Sequence, residues 1–162
     1  DAVASIPSIL MAIAIVSALG QSTLNLMVAI GICSAASFVQ VARAAVLTVR
    51  SNEYVEAARA IGATNREIIF SHILPNSLAP IIVQATLRVG ASIISASSLS
   101  FLGIGVPLPA PEWGAMLSSG RNYIRDYSYM TLFPGLAIML TVVSLNLVGD
   151  ALRDSIDPKL KK

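Results

Sequence analysis

Apolar and polar positions along this chain are segregated into long blocks. Ala2 to Ala42, Val89 to Pro111 and Tyr127 to Gly149 contain no Asp, Glu, Lys, Arg or His. A helix needs about 20 such residues to cross the hydrocarbon of a bilayer. A surface helix of a soluble domain keeps one charged face, and these blocks have none. They predict four membrane spans, at about 3–19, 23–42, 76–99 and 130–149. Pro7 falls near the start of the first, where its missing N–H does least harm. Gly20, Gln21 and Ser22 make a tight turn, and Pro134-Gly135 starts or kinks the last span. The predicted fold class is an all-α membrane protein, a helical transmembrane bundle.

Composition agrees with this reading. The 162 residues are 55% apolar and only 12% charged, with a mean hydropathy of +0.74; soluble domains carry about 25% charged residues. A net charge of +2 makes no case for nucleic-acid binding. One cysteine, Cys33, excludes an intrachain disulfide, and with one histidine, His72, a metal site is not expected. No G-x-x-x-x-G-K-[ST] run occurs, so any ATP and Mg belong to other subunits; no cofactor is expected in this chain. The chain opens at Asp1 without a basic leader, so its first apolar block is not expected to be a signal peptide. It reads as the C-terminal part of a longer protein.

The polar blocks set the orientation. Loop 43–75 carries Arg43, Arg50, Arg59 and Arg66, and the tail carries Arg153, Lys159, Lys161 and Lys162. The opposite side has Arg121 and Arg125, offset by Glu112 and Asp126. The excess of positive charge assigns loop 43–75 and the tail to the cytoplasm and loop 103–128 to the periplasm. Within 50–75, Ser51 is a candidate N-cap with Glu53 in the first helical turn. That helix is expected to run to Ile61 and stop at Gly62, where glycine takes the left-handed conformation. Thr64 to Glu67 reads as a capping box for a second short helix, expected to end before Pro75. Ala57, Ala58 and Ile61 give the first helix a small, smooth face, suited either to capping the bundle or to docking a partner.

Glu56-Ala57-Ala58, then Gly62, then Ile73-Leu74-Pro75 resembles the EAA loop of binding-protein-dependent ABC importers. The wider stretch from Glu53 to Ala63 and His72 to Asn76 is similar to the dipeptide/oligopeptide/nickel branch. His72 stands where the general pattern is apolar, although His-Ile-Leu-Pro-Asn is usual in that branch. Leu99 to Gly105 with Trp113-Gly114, Phe133 to Ile138, and Asn146 to Asp154 with Asp157-Pro158 resemble further motifs of the branch in the same order. Many relatives carry Glu-Ala where this chain has Ala96-Ser97, so no acid role is carried over there. The resemblance covers nearly the whole chain. It implies a type I ABC importer permease fold and a non-catalytic subunit of the bacterial or archaeal cytoplasmic (inner) membrane. It also implies two further spans and a periplasmic segment upstream. The implied partners are a homologous second permease, two cytoplasmic ATPases, a periplasmic or lipid-anchored solute-binding protein and membrane lipid. The ATPase-coupling residues it implies are Glu56, Ala57, Ala58, Arg59, Gly62, Leu74 and Pro75. The rival classes are a secondary transporter or channel and a non-transporting scaffold; the former predicts intramembrane acids, which the spans lack.

Arg88 lies mid-span, where a lone Arg costs roughly 2.5–3.5 kcal/mol on insertion scales. Gln84, Arg88, Ser92 and Ser95 fall on one helical face and form a candidate pathway lining. Arg88 either attracts an anionic substrate group or pairs with the sister subunit. Cys33 among Gly31, Ser34 and Ala35 reads as small-residue packing, as do Thr141, Ser144 and Asn146. Trp113, Met116, Leu117, Gly120, Tyr123 and Ile124 recur at helical spacing, predicting a short helix that rests on the membrane or gates the pathway.

Overall fold

The computed structural model describes residues 6–107 and 109–156. The first residues of the 3–19 span and Asp157 to Lys162 of the tail lie outside the described residues. Among the described residues every regular element is helical. Seven α-helices run α1 Ser8–Leu19, α2 Thr23–Arg50, α3 Glu53–Ala60, α4 Asn65–Glu67, α5 Leu74–Phe101, α6 Trp113–Gly120 and α7 Tyr129–Ile156. A π-helical segment, Ile68–Ile73, joins α4 to α5, and a 3-10 turn, Arg121–Tyr123, follows α6.

Three of the four predicted spans are long enough to cross a bilayer: α2, the continuous Asn65–Phe101 rod and α7. The first is shorter than expected. Its helix starts at Ser8, after Pro7 in extended backbone, and has 12 residues, about 18 Å at 1.5 Å per residue. α2 runs past the expected end at 42 to Arg50: Ala44, Ala45 and Leu47 favour the helix, Val49 is buried against the loop, and Arg50 in the last turn suits the macrodipole. Ser22 caps its start, accepting the Asn25 N–H at 3.1 Å. Asn25 Nδ2 in turn donates to the carbonyls of Leu19 and Gly20, at 2.8 and 2.9 Å, and locks the α1–α2 turn.

The second loop helix does not end before Pro75. Pro75 lacks an N–H and its ring crowds the carbonyl four residues back. The wider π turn resolves both: the Leu74 N–H reaches back five residues to the Ile69 carbonyl, which displaces the carbonyls Pro75 would otherwise meet. The inner loop and the third span are therefore one rod. Pro80 and Pro134 also lie inside helices, so α7 begins at Tyr129 and passes through Pro134.

α5 is the central element, packed on α1, α2, α6 and α7. Small residues let α5 and α7 approach: Gly90 faces Val142 and Asn146, and Gly149 faces Thr86 and Leu87. Two apolar clusters divide the bundle. Ala12, Val16, Leu26, Ala29 and Leu99 join α1, α2 and α5, whereas Val49, Val55, Ile68 and Ile73 join the end of α2 to the loop. At the far end Gln21 Nε2 donates to the Gly103 carbonyl at 2.8 Å, so the α1–α2 turn and loop 102–128 share one side, as the parity of the spans requires.

α6 is a short helix as predicted; of its large apolar residues Leu117 is half-buried toward Gly135, and the rest are turned outward. Gly114, Ala115 and Gly120 are buried, while Trp113 and Met116 are exposed. The small face fits between α5 and α7, and the large face is left for the interface. Glu112 has a structural task besides its charge: its carboxylate caps α6, accepting the Ala115 N–H at 2.7 Å and facing Ser97 Oγ at 3.5 Å. Arg121 lies over the Phe101 ring at 5.6 Å.

Candidate functional site

The inner loop is a built structure. α3 carries Glu53 and Glu56 in its first turn and Arg59 in its last, each sign at the end the macrodipole favours. Asn52 stands at the N-cap, not Ser51; Ser51 terminates α2, with its hydroxyl donated to the Thr48 carbonyl at 3.0 Å. The helix ends at Ala60 with Ile61 as C-cap, and Gly62 follows at φ +88°. The Ala63 N–H donates to Ala58 O and the Gly62 N–H to Arg59 O, both at 3.1 Å. This is a Schellman motif, which satisfies carbonyls the helix end would otherwise leave unpaired.

The predicted capping box is present next. Thr64 Oγ1 accepts the Glu67 N–H at 3.3 Å, and Glu67 Oε2 accepts the Thr64 N–H at 2.8 Å. Those bonds to Thr64, the backbone one foremost, hold the Glu67 carboxyl below its ordinary range, helped by His72. A depressed folded-state pKa stabilises above the ordinary carboxylate pKa and stops doing so as pH falls through the lowered value. Glu67→Gln is thus expected to lower the thermal midpoint at pH 7, and the gap to wild type closes as the pH falls through the lowered carboxyl pKa. A gap that persists once the carboxyl is protonated removes the capping carboxylate from the account.

Two faces of α3 follow. Val55 is buried against Val49, Ile68 and Ile73, and Ala58 is buried as well. Glu53, Tyr54, Glu56, Ala57, Arg59 and Ala60 are exposed, and Ile61 is 86% exposed. Of the predicted coupling residues, Glu56, Ala57, Arg59 and Gly62 lie on the exposed loop surface, and Leu74 and Pro75 are exposed at the start of α5. Ala58 is turned inward instead, because positions 55 and 58 share a face three residues apart. His72 packs within the loop, its ring tilted toward Tyr54 at 6.4 Å. Asn76 Nδ2 donates to the His72 carbonyl at 2.6 Å, giving that π-segment carbonyl a partner. Sequence reasoning missed both the π segment and this bond, although Pro75-Asn76 was their signal.

The candidate pathway stripe divides. Arg88, Ser92 and Ser95 line one cavity of about 60 Å³ together with Ser8, Cys33 and Ser34. Arg88 and Ser92 also line a larger adjoining groove of about 540 Å³. Gln84, one turn below, is half-buried and lines neither. Cys33 packs as expected, its thiol directed at the Ser8 carbonyl at 3.3 Å.

Apolar helices sized for a bilayer, a cation and hydroxyls inside them, and a capped helix presented at one end define a membrane transport component. A family profile described as "Binding-protein-dependent transport system inner membrane component" matches residues 1–162. The chain belongs to that family. It is 51% identical over 161 residues to the dipeptide transport system permease protein DppC of Alkalihalophilus pseudofirmus, covering 99% of this chain and 53% of the relative. It is 47% identical, with the same coverage, to the di/tripeptide transport system permease protein DppC of Pseudomonas aeruginosa and to the glutathione transport system permease protein GsiD of Salmonella typhimurium. The chain spans about half the length of the curated relatives it matches.

Proposed function

We propose that this chain is part of the permease subunit of an ATP-driven importer of short peptides, coupled to cytoplasmic ATPases through α3. The full-length protein pairs with a homologous permease, two ATPases and a solute-binding protein, and its own residues carry no covalent chemistry. The observation that carries this reading is the presentation of α3. A helix that only capped the bundle would bury its apolar residues. Here Val55 and Ala58 are buried, while Ile61 stands exposed beside Ala57 with charges around them. Small residues with one protruding apolar side chain suit insertion into a cleft.

The mechanical link is covalent. α3 sits on the π segment that continues directly into α5, the element on which the other spans pack. Closure of an ATPase pair moves α3, and the rod transmits that motion to the face bearing Arg88. The spans thereby exchange between two packings. Loop 43–75 is cytoplasmic in this reading, in keeping with its four arginines. Short peptides are the substrate class because the relatives named above are dipeptide, di/tripeptide and glutathione permeases.

Single cysteines placed from Glu53 to Asn65 and crosslinked in the assembled complex test the proposal. Adducts to an ATPase are expected at Ala57 and Ile61 and not at the buried Val55. Crosslinks that find only lipid or water at every position sink it.

A further inference from the structure

The mid-span cavity has a chemistry that coupling does not use. It lies among α1, α2 and α5, three helices that contain no Asp or Glu. Arg88 therefore has no carboxylate partner on the elements that enclose it. Its surroundings are hydroxyl-rich for a transmembrane interior: Ser8, Ser34, Ser92 and Ser95 all line the space. Ser95 gives its proton to the Ala91 carbonyl at 3.0 Å; of the other three hydroxyls, Ser34 and Ser92 line, with Arg88, both this space and the larger groove. A water occupies about 10–15 Å³ on this measure. A cavity of about 60 Å³ holds a carboxylate group or a few waters and cannot hold a peptide.

The groove next to it differs in kind. It is about 540 Å³, within the roughly 300–1,000 Å³ of small-ligand sites. Its walls are mostly apolar, including Met27, Phe38 and Val89. Ile30, Ser34, Arg88 and Ser92 are common to both spaces. The cation and its two hydroxyls thus stand at the boundary between a polar pocket the size of a carboxylate and an apolar channel the size of a short peptide.

We infer that Arg88, with Ser34 and Ser92, anchors the C-terminal carboxylate of the peptide in transit while the rest of the peptide lies along the apolar groove. This rests on the peptide-permease reading above and deepens it. Guanidinium binds carboxylate through two parallel N–H donors, a geometry lysine supplies only as a point charge. The anchor makes a free carboxylate a requirement of the membrane step, in addition to whatever the binding protein selects.

Cys33 lines the same pocket and is a native reporter. In the intact importer, with all other cysteines of the complex replaced, its modification by anionic and cationic methanethiosulfonates is compared. The anionic reagent is expected to react faster, and Arg88→Gln to lower the anionic-to-cationic ratio about tenfold. Alanyl-alanine is expected to protect Cys33 and its C-terminal amide not to. In proteoliposomes Arg88→Gln is expected to cut alanyl-alanine uptake about tenfold, with Arg88→Lys retaining a larger share. If Arg88→Gln fails to assemble, Ser92→Ala replaces it, with a smaller loss of protection and uptake expected. An unchanged ratio, a Cys33 that reacts with neither reagent, or equal protection by peptide and amide each overturns the anchor. A fall in the ratio without loss of uptake overturns the assignment to substrate. A wild-type complex that imports no peptide at all sinks the permease reading instead, which the reagent ratio does not report.

Discussion

Gly62→Val is expected to abolish peptide uptake while leaving the spans inserted and folded. Gly62 has φ +88°, and a Cβ built on it meets nothing within 4 Å. The penalty is therefore conformational and not steric. An L-residue in the left-handed region costs roughly 1–2 kcal/mol, more when β-branched. That is too little to unfold a transmembrane bundle. It is enough to unwind a loop whose seat is four buried apolar side chains, because the strained residue is the one that closes the Schellman motif. Loss of that turn releases Ile61 from its position and Ala63 from the cluster beneath α3. The comparison variant is Gly62→Asn, since asparagine tolerates the left-handed conformation. Uptake and ATPase copurification should both survive better in Gly62→Asn than in Gly62→Val. Normal copurification and wild-type uptake in the valine variant would refute the assignment of α3 as the coupling element.

Gly114→Ala should cause the largest loss of stability of any single methyl addition to α6. The added Cβ would lie 2.6 Å from Ser97 Cα and 2.8 Å from Ser97 C, and closer still to its carbonyl oxygen. Those are backbone atoms of α5, the rod on which the bundle is built, so the neighbour cannot rotate away. Overpacking of this kind costs roughly 1–3 kcal/mol, and a backbone collision belongs at the upper end. The shift would also pull Glu112 away from Ser97 and the Ala115 N–H, removing the α6 cap. Gly135→Ala is the matched control. Its Cβ would make only ordinary contact, 3.9 Å from Leu117 Cδ2, and alanine is the better helix residue by up to about 1 kcal/mol. Thermal unfolding of the purified complex should fall markedly for the first variant and stay level or rise for the second. Equal midpoints would show that α6 does not sit against α5 in the membrane.

Much of the inner loop was legible residue by residue. Glycine after Ile61 and Thr64 with Glu67 are local signals, and each acts over three or four residues of contiguous chain, where backbone hydrogen bonding is decided locally. Gly103 is the same signal at the end of α5, at φ +79° with the Ile104 N–H on the Leu99 carbonyl at 2.9 Å. It passed unread because it sits in a run rich in Gly and Pro. Pro75 misled for a physical reason. Proline cannot donate the regular α-helical bond, and at Pro75 the π turn, whose Ile68 and Ile73 pack on Val49 and Val55, keeps the helix continuous.

The chain's own order of residues determined that it lives in a bilayer, which ends of its helices share a side, and where its polar loop turns. Those properties follow from transfer free energy and short-range backbone chemistry, and both are written along the chain. Tertiary structure alone decided which face of each helix is used. It turned Ala58 inward and left Ile61 out, and it set α6 against α5 through glycine instead of through its aromatics. It also separated Gln84 from Arg88 by closing α1 and α2 over one part of a single stripe. Helical periodicity places residues on a common face, but the partner that covers a face comes from distant segments, and only their packing can choose it.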